Sequence, residues 1–177
     1  MTSGDIVTRP GTPSVAALWE VLAGVLDPEV PVLSVVDLGI VRDIRVDEGG
    51  TEVVVTPTYS GCPAIQVIER DILSALQRAG AHAPRIRTVF APAWTTEWMN
   101  AAAKEKLRAY GIAPPGPRVD AVDPLVQILR RTPDADVACP WCGAARTELR
   151  SAFGPTACKS IRFCSSCHQP FEAFKPL

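Results

Sequence analysis

This 177-residue chain contains only two histidines, and neither completes a Glu-x-x-His pair. A di-iron carboxylate bundle needs two such pairs, so that oxygen-activating centre is excluded. No Gly-x-Gly-x-x-Gly run is present, which removes the usual dinucleotide cradle. Aromatic residues make up 6% and the net charge is −1, and neither suits a polyanion binder. No apolar stretch approaches the roughly 20 residues that span a bilayer. The opening residues, MTSGDIVTRPGTPS, lack a basic segment followed by an apolar one. No secretory signal is therefore visible, and the cytoplasm is the expected address.

Proline and cysteine, by contrast, are plentiful. There are 17 prolines, about twice the usual share of roughly 5%. The six cysteines are Cys62, Cys139, Cys142, Cys158, Cys164 and Cys167, and five of them fall in the last 39 residues. In a chain without an export signal, that clustering reads as metal binding rather than disulfides.

Residues 1–13 are polar, carry two prolines, and read as a disordered lead. Ser14 then precedes Val15, Leu18, Trp19, Leu22, Val25 and Leu26, the spacing of an amphipathic helix with Ser14 as its cap and Asp27-Pro28 as its end. After a loop, residues 40–46 alternate, with Ile40, Arg42, Ile44 and Val46 on one face, and Glu48-Gly49-Gly50 turns the chain into the β-branched run 51–56. Ile65, Ile68, Ile72, Leu76 and Ala79 mark a second helix that stops at Gly80, and residues 85–91 read as a third strand. A third helix is predicted from about Thr96, with Met99, Ala103, Leu107 and Tyr110 as its stripe. Two adjacent prolines in IAPPGP then break it and begin a stiff spacer. The stretch 119–131 is ambiguous between helix and strand. The expected organisation is an α+β domain over 14–111 with helices packed on a small mixed sheet, a proline-rich linker over 112–136, and a cysteine module over 137–177.

That module reads Cys139-Pro-Trp-Cys142, 21 intervening residues, then Cys164-Ser-Ser-Cys167. Each Cys-x-x-Cys knuckle offers two thiolates to one tetrahedral ion, and two β-like stretches around Gly154-Pro155 plus the tail PFEAFKPL fit a three-stranded zinc ribbon. About 40 residues cannot build a sufficient core alone, so the metal would provide much of the folding free energy. A structural zinc ion is the expected occupant, with a redox iron or iron–sulfur site on the same sulfurs as the alternative. The tail carries five basic and two acidic residues against 13 and 17 over residues 1–136, too weak a field for nucleic acid. Cys158 reads as a ribbon core residue or a spare thiol near the metal, and His168 as a surface residue.

Cys62 stands alone in the main domain. Pro63 after it suits the first helical position, which would make Cys62 the cap of the second helix and set its sulfur among free backbone N–H groups that favour a thiolate. Gly61 leaves the backbone open to a partner. Asp27, Glu29 and Asp37 form a small acidic set in the first loop. They are either solvated loop carboxylates or, if the loop folds over the Cys62 turn, neighbours in a metal site; Asp27 could equally cap a turn.

Three segments carry a resemblance: Asp27-Pro28-Glu29-Val30-Pro31, Ser34 to Val41 (SVVDLGIV), and Thr56 to Pro63 (TPTYSGCP). They resemble the metal–sulfur cluster assembly domain family, which includes SufT-like and cytosolic iron–sulfur targeting factors. Three more segments look like the family of D subunits of bacterial ring-1,2-phenylacetyl-CoA epoxidase systems: Pro92 to Trp98 (PAWTTEW), Tyr110 to Gly116 (YGIAPPG), and Phe153 to Lys159 (FGPTACK) with the four-cysteine ribbon. The resemblance covers roughly residues 14–177. It implies a compact α+β domain with Cys62 as the functional thiol, and a non-catalytic accessory role in phenylacetate catabolism that assists maturation of iron–sulfur or di-iron centres. It further implies a transient iron or iron–sulfur cargo, and the other epoxidase subunits or iron–sulfur assembly proteins as partners, with a homodimer left open. The competing readings are a purely structural oxygenase subunit and, remotely, a zinc-ribbon regulator that binds nucleic acid.

Overall fold

The computed structural model describes residues 12–59, 61–116 and 137–176. Most of the expected lead and linker, and the ambiguous stretch 119–131, lie outside the described residues. The chain divides into two compact units, Met1–Trp94 and Thr95–Leu177. Among the described residues no helix is long and apolar enough to cross a membrane.

In the first unit Ser14 caps α1 (Val15–Ala23) as expected, its hydroxyl accepting from the Ala17 N–H at 3.2 Å. The helix ends earlier than expected, at Gly24, whose N–H closes the last turn. The residues from there to Ile40 are no idle loop. Asp27 N–H donates to the Leu33 carbonyl at 2.8 Å and Val35 N–H to the Val25 carbonyl at 2.9 Å. These bonds satisfy the backbone and let Val30, Leu33, Val35 and Leu38 enter the core. The indole N–H of buried Trp94 donates to the Leu38 carbonyl at 2.9 Å, holding that segment down.

Strands β1 (Val41–Asp47) and β2 (Gly50–Val55) form the expected hairpin. A register shift between Val41 and Asp43 places a bulge at Arg42. Alternation therefore breaks: Val41 and Ile44 are buried and Arg42 is exposed, where the simple pattern put Arg42 on the face of Ile44. Helix α2 (Ile65–Arg78) crosses to β3 (Arg85–Thr88), which pairs parallel to β2. Because β2 is central, Val53, Val54 and Val55 are all buried. Ile68, Ile72 and Leu76 form the buried face of α2, which packs on α1 and β3. The helix ends at Gly80 as expected, with Gly80 N–H on the Gln77 carbonyl and Ala81 N–H on the Leu76 carbonyl, the paired bonds of a Schellman cap.

In the second unit the expected single helix is split. Thr96–Trp98 is one 3₁₀ turn, Met99 is extended, and Asn100 opens α3 (Ala101–Ala109) by accepting from the Ala103 N–H at 2.7 Å. An asparagine that can cap satisfies a free N–H better than one inside a helix, so it resets the start. Ala103 and Leu107 are buried, but Tyr110, past the helix end, is 53% exposed. Ile112–Ala113, expected as spacer, instead form β4 and pair parallel to β7 (Pro170–Phe174). The sheet continues antiparallel through β6 (Lys159–Cys164) to β5 (Thr147–Ser151). Its core is Ala113, Cys139, Cys164, Phe171 and Ala173. Central β6 also buries Lys159, which is paired with Glu172 at 2.8 Å. Gly111 (φ +88°) allows a close approach: a Cβ there would run into the Trp141 ring.

Candidate metal centre and the Cys62 turn

The two Cys-x-x-Cys segments fold into matching knuckles. In the first, Cys139 N–H donates to the Ala144 carbonyl at 3.0 Å, and Gly143 N–H to the Cys139 carbonyl at 2.9 Å. In the second, Cys164 N–H donates to the Gln169 carbonyl at 3.0 Å, and His168 N–H to the Cys164 carbonyl at 2.9 Å. The same turn demands a left-handed residue after the second cysteine: Gly143 has φ +74° and His168 has φ +58°. The exposed His168 ring, expected only as surface, thus sits on a backbone position suited to glycine. The offset from Cys139 to Gly143 repeats from Cys164 to His168, and that repeat was the available sequence signal.

The knuckles bring the four sulfurs together, all within 4.8 Å of one another. Cys139 Sγ lies 3.7 Å from Cys167 Sγ, and Cys142 Sγ lies 3.6 Å from Cys164 Sγ. Four sulfurs bonded to one zinc ion at about 2.3 Å in a tetrahedron stand roughly 3.8 Å apart. Disulfide sulfurs stand roughly 2.05 Å apart, and none of the six cysteines is disulfide-bonded. The spacing thus fits a tetrahedral ion and not a pair of S–S bonds. Cys139 and Cys164 are buried, Cys167 is half-buried and Cys142 is exposed, so each knuckle anchors its first sulfur in the core.

The protonation pattern agrees with a cation site. The Cys167 backbone N–H donates to the Cys164 sulfur and lowers that thiol to about 6, whereas burial pushes Cys167 up to about 12. Four crowded sulfurs cannot all lose protons unless a positive charge replaces them, and a divalent ion would supply it. The residues that would hold zinc are Cys139, Cys142, Cys164 and Cys167. Cys158 is buried, with its sulfur 3.2 Å from the Thr156 hydroxyl, and is not among these four.

Cys62 is not the cap of α2. Ala64 occupies that position without a side-chain bond, and Ile65 is the first helical residue. Pro63 and Ala64 take one further turn, in which Cys62 N–H donates to the Tyr59 carbonyl and the Cys62 carbonyl accepts from Ile65. Cys62 therefore stands two positions before the cap and not at the helix end. Cys62 is half-buried between exposed Gly61 and exposed Pro63.

Two of the three acidic residues, Asp27 and Asp37, accept bonds within their own loop. Asp27 is buried, and its Oδ1 accepts from Glu29 N–H and Val30 N–H at 2.8 Å each, the turn-capping role. Asp37 Oδ2 accepts from Ser34 N–H while Ser34 Oγ accepts from Asp37 N–H, both at 3.0 Å. Glu29 is exposed. Among the described residues, the ribbon cysteines are the one group of three or more His, Cys, Asp or Glu that converges as metal ligands.

Residues 15–82 match the family described as iron–sulfur cluster assembly protein, and residues 124–175 match the PaaD zinc beta ribbon domain. The chain is 41% identical over 164 residues to a protein of Escherichia coli (strain K12) described as the D subunit of 1,2-phenylacetyl-CoA epoxidase, covering 92% of this chain and 93% of that one. It is 36% identical over 89 residues to the Fe-S protein maturation auxiliary factor YitW of Bacillus subtilis (strain 168), covering 47% of this chain and 82% of that one. Among solved structures, a domain of unknown function, DUF59, from Bacillus anthracis superposes with a TM-score of 0.50 at 30% identity, covering 52% of this chain and 90% of that one.

Proposed function

The chain belongs to the family of 1,2-phenylacetyl-CoA epoxidase D subunits, and from that premise we propose that it is the maturation factor of its epoxidase system. It is a non-catalytic accessory subunit of the phenylacetate pathway. In this reading Cys62 transiently holds iron or an iron–sulfur cluster destined for the oxygenase or its reductase. The ribbon holds a structural zinc ion and docks the client, in the cytoplasm, where thiols stay reduced.

One observation carries the reading. A single chain separates two kinds of thiol: four converge on one another, while Cys62 lies apart, half-buried between exposed Gly61 and Pro63 in a domain of the iron–sulfur assembly family. A resident ion stabilises a fold because its ligands are complete, whereas a cargo must be given up, which a single thiol permits.

The test is Cys62→Ser in cells grown on phenylacetate, with epoxidase activity and the iron content of the purified oxygenase and reductase both measured. Both should fall while the chain keeps its zinc. Normal values for both would remove Cys62 from the mechanism and leave a structural subunit, which would then co-purify stoichiometrically with active epoxidase.

A further inference from the structure

The four ribbon cysteines are not equally placed. Cys142 is exposed and Cys167 half-buried, while Cys139 and Cys164 are buried. The chain neighbours of Cys142, Trp141 and Gly143, are exposed as well, and a Cβ added at Gly143 would meet nothing within 4 Å. Across the cluster, Cys142 Sγ lies 3.6 Å from Cys164 Sγ, which belongs to the other knuckle. Cysteines that respond to oxidants combine thiolate character, exposure and a second cysteine close enough to resolve the oxidised sulfur. Exposure and a resolving partner are both built into this pair. A bound divalent ion supplies the thiolate, because it holds its cysteine ligands deprotonated.

We infer that Cys142 is a site of oxidation by hydrogen peroxide, with Cys164 as its resolving cysteine. This rests on the ribbon holding zinc, as proposed above. The Cys142 thiolate attacks one peroxide oxygen and the O–O bond breaks. The sulfur gives up two electrons, Cys142 becomes a sulfenic acid, and hydroxide leaves. The Cys164 thiolate, buried but close to Cys142, then attacks the oxidised sulfur. The S–S bond forms and the sulfenic oxygen departs as a second hydroxide; both hydroxides take protons from the buffer. Two thiolates and one peroxide thus give one disulfide that joins the two knuckles. Cys139 and Cys167 alone remain as ligands, too few for a closed tetrahedral site, so zinc is released. The ribbon then loses the folding free energy that the ion supplies, and a thiol reductant reverses the change.

The test uses the full-length zinc-loaded chain, with zinc content measured before hydrogen peroxide is added. A chromophoric chelator follows zinc release, and mass spectrometry of a digest maps the first disulfide. One peroxide should release one zinc and leave a Cys142–Cys164 link, and dithiothreitol with added zinc should restore the site. Cys142→His keeps a nitrogen ligand for zinc but no sulfur to oxidise, and should release zinc at least about tenfold more slowly. If that variant binds no zinc, the position of the first disulfide in the wild type decides alone. A chain that holds no zinc at the outset fails the zinc reading and this inference together. Three results would overturn the inference alone: zinc retained in peroxide, a first link other than Cys142–Cys164, or release from Cys142→His at the wild-type rate.

Discussion

The two knuckles offer a paired experiment on one backbone position. Gly143 and His168 occupy the same left-handed place, four residues after the first cysteine of each knuckle. For an L-residue that conformation costs about 1–2 kcal/mol. A Cβ at Gly143 would meet nothing within 4 Å, so Gly143→Ala adds no clash and loses no contact. Its whole effect is conformational, a loss of about 1–2 kcal/mol, which is a factor of roughly 5–30 in an equilibrium. His168→Gly should act in the opposite direction. It relieves the left-handed strain and loses only a tilted contact with the Phe163 ring, 6.2 Å between centroids at the surface. A net gain of about 0.5–1.5 kcal/mol remains, taking that contact at the low end for aromatic pairs. Folding of the ribbon and zinc binding are linked, so both changes appear in zinc affinity. Competition against a chromophoric chelator at constant pH is the assay. Zinc should bind most tightly to His168→Gly, then the wild type, then Gly143→Ala. Unchanged affinity for Gly143→Ala, or looser binding by His168→Gly, would refute the matched-turn reasoning.

Two further outcomes follow from the packing and the loop bonds. Removing zinc with a strong chelator, or substituting Cys164→Ser, should abolish the strand signal of the ribbon, because two of the five buried core residues of its sheet are themselves ligands; the core of the first unit contains none of the four, so its urea transition should persist. Asp27→Ala should destabilise the first unit by about 2 kcal/mol, since it leaves two amides without their charged acceptor, and Asp27→Asn should cost less than half of that in urea denaturation.

Much of the fold was legible because its signals are local. Ser14 before an apolar stripe, the Gly80 stop and the β-branched run of β2 each reflect the chemistry of a few neighbouring residues. The Cys139, Cys142, Cys164 and Cys167 set was legible for a similar reason: a tetrahedral ion requires short loops between paired thiolates. Other features depend on distant partners. β4 is two residues, and they are a strand only because β7, some 60 positions later, lies beside them. The bulge at Arg42 overrides a clean alternation because β2 sets the register. Asn100 restarts a helix that periodicity alone would run through, and one extra turn at Pro63 and Ala64 moves Cys62 off the helix end.

Residue types and spacing were therefore enough to pick out the four cysteines that converge and the α+β class, since both rest largely on contacts a few residues apart. Folding was needed to bond Asp27 and Asp37 within their own loop, to leave Cys62 half-buried, and to place His168 in a glycine's conformation. Each of these depends on what the rest of the chain covers or leaves uncovered, and burial is a property of the assembled molecule rather than of any segment.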